Sequence, residues 1–142
     1  MATIKGFKGG LFVGKKPKAL EPTEAQVQKS IRQFLDMLGI YNDRLNSGMV
    51  NVVNRYTKKD GVEREYSKWV HLCKKGTPDL FFIFNGRIHF CETKTAAGRF
   101  KPDQLARHKE LRRAGAVVWV ARSLDSFTDQ FYRQYPLLKQ IT

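Results

Sequence analysis

At 142 residues the chain is long enough for one domain with a real core and too short for two comfortable ones. Its 42% hydrophobic and 12% aromatic content argues for a globular fold, and no apolar run reaches the ~18 residues of a membrane span. Lys and Arg outnumber Asp and Glu by 26 to 13, and a net charge of +13 calls for a polyanionic partner, nucleic acid before a membrane surface.

Residues 1–21 hold Gly6, Gly9, Gly10 and Gly14 among five lysines and read as a flexible basic arm, with a short strand at Leu11-Phe12-Val13. Met1 to Leu20 has lysines but neither an apolar core region nor a cleavage site, so it does not read as a secretory signal. Residues 22–142 then make a single domain. Thr23 caps a helix and Gln26 completes a capping box. Val27, Ile31, Phe34, Leu35 and Leu38 recur at helical spacing, and Gly39 stops the helix. Glu24 lies about 20° around the helix from Ile31 and Leu35, so it projects toward the core side. It is either a first-turn acid complementing the helix dipole or a functional group.

Asn46-Ser47-Gly48 predicts a turn. Strands over 49–56 and 62–70 follow, joined at Thr57-Lys58-Lys59-Asp60-Gly61. The tip lysines Lys58 and Lys59 are either a solvated turn or phosphate contacts. His71 reads as structural rather than as a ligand. Cys73 and Cys91 lack metal-ligand spacing and suit a reducing, cytoplasmic setting better than a disulfide scaffold.

Between Thr77-Pro78-Asp79 and Glu92-Thr93-Lys94, two apolar runs flank Asn85-Gly86, the strongest short hairpin signal, because a type I′ turn needs φ > 0 at both central residues. A two-residue loop pairs Phe84 with Arg87 and sets Asp79 opposite Glu92. Like charges so placed destabilise a ladder, which calls for a cation between them. Lys94, two residues past Glu92, shares its face. The plain alternative is a turn aspartate and ordinary strand charges. The register weighs against it, and so do the apolar flanks, which mark a central strand pair where charges need partners.

Thr95-Ala96-Ala97-Gly98 is a small-residue loop. A helix with Pro102 in its first turn runs through Gln104, Leu105, His108 and Leu111 to Gly115. Ala116–Ala121 is a buried strand, reached from Phe90–Lys94 by a parallel crossover. Ser123 caps a last helix carrying Leu124, Phe127 and Phe131, ended by Pro136. The fold class is α/β, a mixed central sheet of about four or five strands flanked by helices. Eight basic against three acidic residues fall in 44–75 and again in 87–113, on either side of the acidic pair. Lys58, Lys59, Lys74, Lys75, Arg99 and Lys101 are the candidate nucleic-acid contacts.

Gly76-Thr77-Pro78-Asp79, the apolar strand, Glu92-Thr93-Lys94 and Gln104 on the next helix together resemble the PD-(D/E)XK nucleases, and more closely the virus-type replication-repair nuclease (VRR-NUC) domains of the stand-alone phage or bacterial type. Glu24, Asn46-Ser47-Gly48 and Gly115-Ala116-Val117-Val118 extend the resemblance, in order, over about residues 23–127. Two departures are Cys91 before Glu92, a small hydrophobe in place of an aliphatic residue, and a long 49–70 hairpin onto which no substrate contact is carried over.

The resemblance implies a restriction-endonuclease-like core. It implies Mg²⁺ or Mn²⁺ held by Asp79, Glu92 and the Thr93 backbone carbonyl, with Glu24 binding directly or through water. Lys94 would orient or help deprotonate water and stabilise charge on the phosphate, and Gln104 would position Lys94 or the phosphate. The implied reaction is phosphodiester hydrolysis by a homodimeric, structure-selective DNA endonuclease, a Holliday-junction resolvase. The alternatives are a flap or single-strand nuclease beside a replication helicase, and a non-catalytic DNA-binding module on a nuclease fold.

Overall fold

A computed structural model describes residues 20–45 and 48–140. The predicted arm at 1–21, with its strand at Leu11–Val13, falls almost wholly outside these residues, as do Asn46 and Ser47. In chain order the elements are helix α1 (Glu24–Met37), strands β1 (Asn42–Arg44), β2 (Met49–Thr57), β3 (Glu63–His71), β4 (Leu80–Phe84) and β5 (Arg87–Thr93), helix α2 (Pro102–Arg113), strand β6 (Val117–Ala121) and helix α3 (Leu124–Gln134). A 3-10 turn, Pro136–Gln140, follows.

The predicted capping box holds α1: Gln26 N donates to Thr23 Oγ1 at 3.3 Å, and Thr23 N to Gln26 Oε1 at 2.8 Å. Its stripe of Val27, Ile31 and Leu35 is buried. The β4–β5 turn has Asn85 at φ 52° and Gly86 at φ 69°, the left-handed pair that fixes a two-residue hairpin. Phe84 therefore pairs with Arg87 and Leu80 with Cys91, the register read from the sequence.

The sheet is mixed and four-stranded, ordered β1-β4-β5-β6, so β4 and β5 are its central strands. β4 runs antiparallel to β1 and β5, and the crossover through α2 brings β6 parallel to β5. On one face Leu80, Phe82, Cys91, Trp119 and Ala121 pack with the α1 stripe and with Phe127 and Phe131 of α3. Each fully buried large side chain here contributes roughly 1.5–3 kcal/mol. Glu92, by strand alternation, faces the other way, toward α2.

Two features differ from the sequence reading. β1 is a three-residue polar edge strand, too short to leave an alternation. The 49–71 hairpin forms a two-stranded sheet of its own, ladder-paired from Met49–His71 to Thr57–Glu63. Nearly every residue in it is exposed, including His71 at its end, so neither of its faces offers the buried side that would join it to the core.

Candidate active site

Asp79 and Glu92 meet where β4 begins and β5 ends. Pro78 is fully buried and sets Asp79 immediately before Leu80, whose pairing with Cys91 opens the β4–β5 ladder. Thr93 fixes one oxygen of Asp79: its backbone N donates to Oδ2 at 2.8 Å and its Oγ1 at 2.7 Å. Thr93 Oγ1 in turn accepts from Gln28 Nε2 at 2.9 Å, a bond buried between α1 and β5. Among the described residues Asp79 Oδ1 receives no donor. Burial, and then the charge of Glu92, push the Asp79 carboxyl above its ordinary value; the Thr93 donors and Lys94 pull it the other way.

Glu92 is 1% exposed. Its Oε1 accepts from Gln104 Nε2 at 2.6 Å and lies 2.9 Å from Lys94 Nζ. Gln104 cannot be flipped without loss, because its Oε1 accepts Lys101 N at 3.0 Å, which leaves the amide nitrogen for Glu92. Lys94 lies over the Phe100 ring, 5.8 Å from its centroid. The other oxygen of Glu92, Oε2, is buried without a hydrogen-bond partner.

Asp79, Glu92 and Lys94, which the hairpin register groups, thus lie together with Gln104, which only the family resemblance adds to the site. Glu24 reaches the rim instead: its Oε1 accepts Thr95 N at 3.4 Å, on the loop that follows Lys94. Arg122, just past β6, shapes that loop by donating through one guanidinium nitrogen to the carbonyls of Thr95 (2.5 Å), Gly98 (2.9 Å) and Ala96 (3.3 Å). Of the candidate nucleic-acid contacts, Lys75 is paired with Asp103 at 2.8 Å on the surface. Lys58 and Lys59 stand exposed at the tip of the separate hairpin, and Lys74 and Lys101 are also exposed.

Gln28, the Thr93 side chain, His108 and Arg122 are site residues that the sequence reading did not single out. Two of them carried a signal. Gln28 follows Glu24, and His108 follows Gln104, at the i,i+4 spacing that stacks side chains on one helix face.

Among the described residues no three His, Cys, Asp or Glu side chains converge closely enough to share one cation. The pair fits a hard cation nonetheless. Each carboxylate has one oxygen that accepts no hydrogen bond among the described residues, and burial with the charge of Glu92 raises Asp79 against the pull of the Thr93 donors and Lys94. Mg²⁺ in phosphate-transfer sites keeps several waters and needs only one or two carboxylates.

No protein-family model and no curated protein matches the chain. Among solved structures it is similar to one described as a VRR_NUC domain, with 26% identity over 79% of this chain and 96% of that one, at a TM-score of 0.47.

Proposed function

We propose that the chain is a divalent-metal-dependent endonuclease that hydrolyses DNA phosphodiester bonds. The observation that carries this reading is the acidic pair of half-buried Asp79 and buried Glu92, with Lys94 Nζ 2.9 Å from Glu92. Asp79, Glu92 and the Thr93 carbonyl are the residues that would hold the cation, with Glu24 contributing from the rim. Bound there, a divalent ion would lower the pKa of its water and offset charge building on the phosphate.

The chain's own groups supply the rest. Lys94 is held with its ammonium at the acidic pair, where it orients the attacking water and stabilises the phosphate's growing negative charge. Gln104 anchors Glu92 through Oε1, and Thr93 anchors Asp79 through Oδ2. The net charge of +13 draws the DNA backbone in. The preferred substrate in this proposal is a four-way junction cut by a homodimer, as the sequence resemblance implies. A two-fold axis would pair the two active sites with the two symmetric cuts.

The test is cleavage of a four-way junction, a 5′ flap, single strands and plain duplex with Mg²⁺, Mn²⁺ or EDTA, beside Glu92→Ala and Lys94→Ala. Metal-dependent paired nicks in the junction, lost in both variants while DNA binding persists, are expected. Cutting only flaps or single strands moves the substrate class. Wild-type rates in either variant overturn the site.

A further inference from the structure

Two buried side-chain polar atoms in the described residues lack a hydrogen-bond partner, and they face each other: Glu92 Oε2 and His108 Nε2, 3.9 Å apart. Both side chains are almost wholly inaccessible, at 2% and 3% exposure. Leaving such an atom unpaired costs about 1–3 kcal/mol, so two of them in one gap is an unstable arrangement unless each serves the other. His108 stands one turn after Gln104 on α2. Its ring packs edge-on against Phe100, 5.8 Å between centroids, the ring over which Lys94 lies. Phe100 therefore ties the imidazole and the ammonium into one unit around Glu92.

We propose that His108 is a positioning residue for Glu92, donating from Nε2–H to Oε2 while Gln104 donates to Oε1, so that α2 grips both carboxylate oxygens. The inference rests on the reading of Glu92 as the acid of a nuclease site. Closing the gap from 3.9 Å to the ~2.9 Å of a hydrogen bond takes about 1 Å of movement of α2 or of the ring. Each carboxylate oxygen has two lone pairs, so a donation from His108 leaves Oε2 able to take a cation as well. With one oxygen held, the carboxylate can still rock about that bond; with both held, it cannot.

Two readouts test this. Nitrogen NMR of the wild-type protein in EDTA, assigned with His108→Gln, reports which ring nitrogen carries hydrogen. A proton on Nε2 is expected; a ring protonated at Nδ1 alone overturns the proposal. Single-turnover cleavage is then compared in His108→Gln, whose amide nitrogen reaches the place of Nε2, and in His108→Phe, which keeps the contact with Phe100. His108→Phe should lose ~10-fold or more in rate at unchanged DNA affinity, and His108→Gln should recover most of it. Wild-type rates in His108→Phe, or equal losses in both variants, overturn it. A wild-type protein that cuts no DNA defeats the proposed function, while the NMR result still decides the hydrogen bond.

Discussion

Gln28 on α1 and Asp79, the residue just before β4, are joined through a single hydroxyl: Thr93 Oγ1 accepts from the Gln28 amide and donates to Asp79 Oδ2. Thr93→Val keeps the shape and removes the relay, leaving the Gln28 amide buried with no acceptor and Asp79 with one donor in place of two. The expected loss is about 1–3 kcal/mol in urea unfolding. Thr93→Ser should keep most of that stability. Equal stability of the valine variant and the wild type would show that the hydroxyl carries no weight.

Asp79 gives the pH dependence. Its carboxyl is raised in the folded protein, by burial first and by Glu92 second, so the folded state holds its proton more tightly than the unfolded chain does. The stability it contributes is fully present below the ordinary aspartate value of about 3.9 and is lost as pH rises through the folded value. At neutral pH, without metal, Asp79→Asn should therefore melt higher than wild type, and the gap should close as pH falls below about 4. A divalent cation should raise the melting temperature of wild type more than that of Asp79→Asn. Melts across pH in EDTA and in Mg²⁺ decide both points. An asparagine variant that melts lower at neutral pH would mean the Thr93 donors outweigh the burial.

Much of this arrangement was legible in the sequence because it depends on short-range rules. Asn85-Gly86 dictates a turn, the turn dictates the register, and the register ends at Leu80–Cys91, with Asp79 and Glu92 the next residue on each side. Thr23 and Gln26 fix the start of α1 in the same local way. What remained hidden depends on tertiary contact. β1 owes its strand form to pairing with β4 and carries no pattern of its own. The 49–71 hairpin shows strand composition, but its separation from the main sheet follows from burial, which composition does not encode. Arg122 looks like any surface arginine until the loop it gathers is seen.

That loop supplies another prediction. One guanidinium holds three carbonyls of residues 95–98, and Thr95 N from the same loop meets Glu24. Arg122→Ala should cost roughly 1.5–3 kcal/mol, the range for hydrogen bonds to a charged group. Amide exchange should quicken at residues 95–98 before it does elsewhere. Arg122→Lys, a point charge without the fork, should recover only part of the protection. Unchanged exchange in Arg122→Ala would mean that the loop holds its shape unaided.

Gly76 ties the acidic turn to α2 by having no side chain. Its φ is 82°, and a Cβ there would lie 2.3 Å from Asp103 O and 2.9 Å from Gln104 N. Those atoms are backbone of the first turn of α2, which cannot swing aside as a flexible side chain would. Gly76→Ala must therefore strain the 76–79 turn or push α2 outward, destabilising by more than the roughly 1 kcal/mol that a glycine replacement can gain where the backbone conformation suits alanine. The push falls on Gln104, whose amide holds Glu92 at 2.6 Å. Cleavage should consequently drop by more than the stability loss explains when measured well below the melting temperature, with DNA affinity retained. A Gly76→Ala protein that melts lower but cleaves at the wild-type rate would show that the strain is absorbed in the turn and that α2 keeps its grip on Glu92.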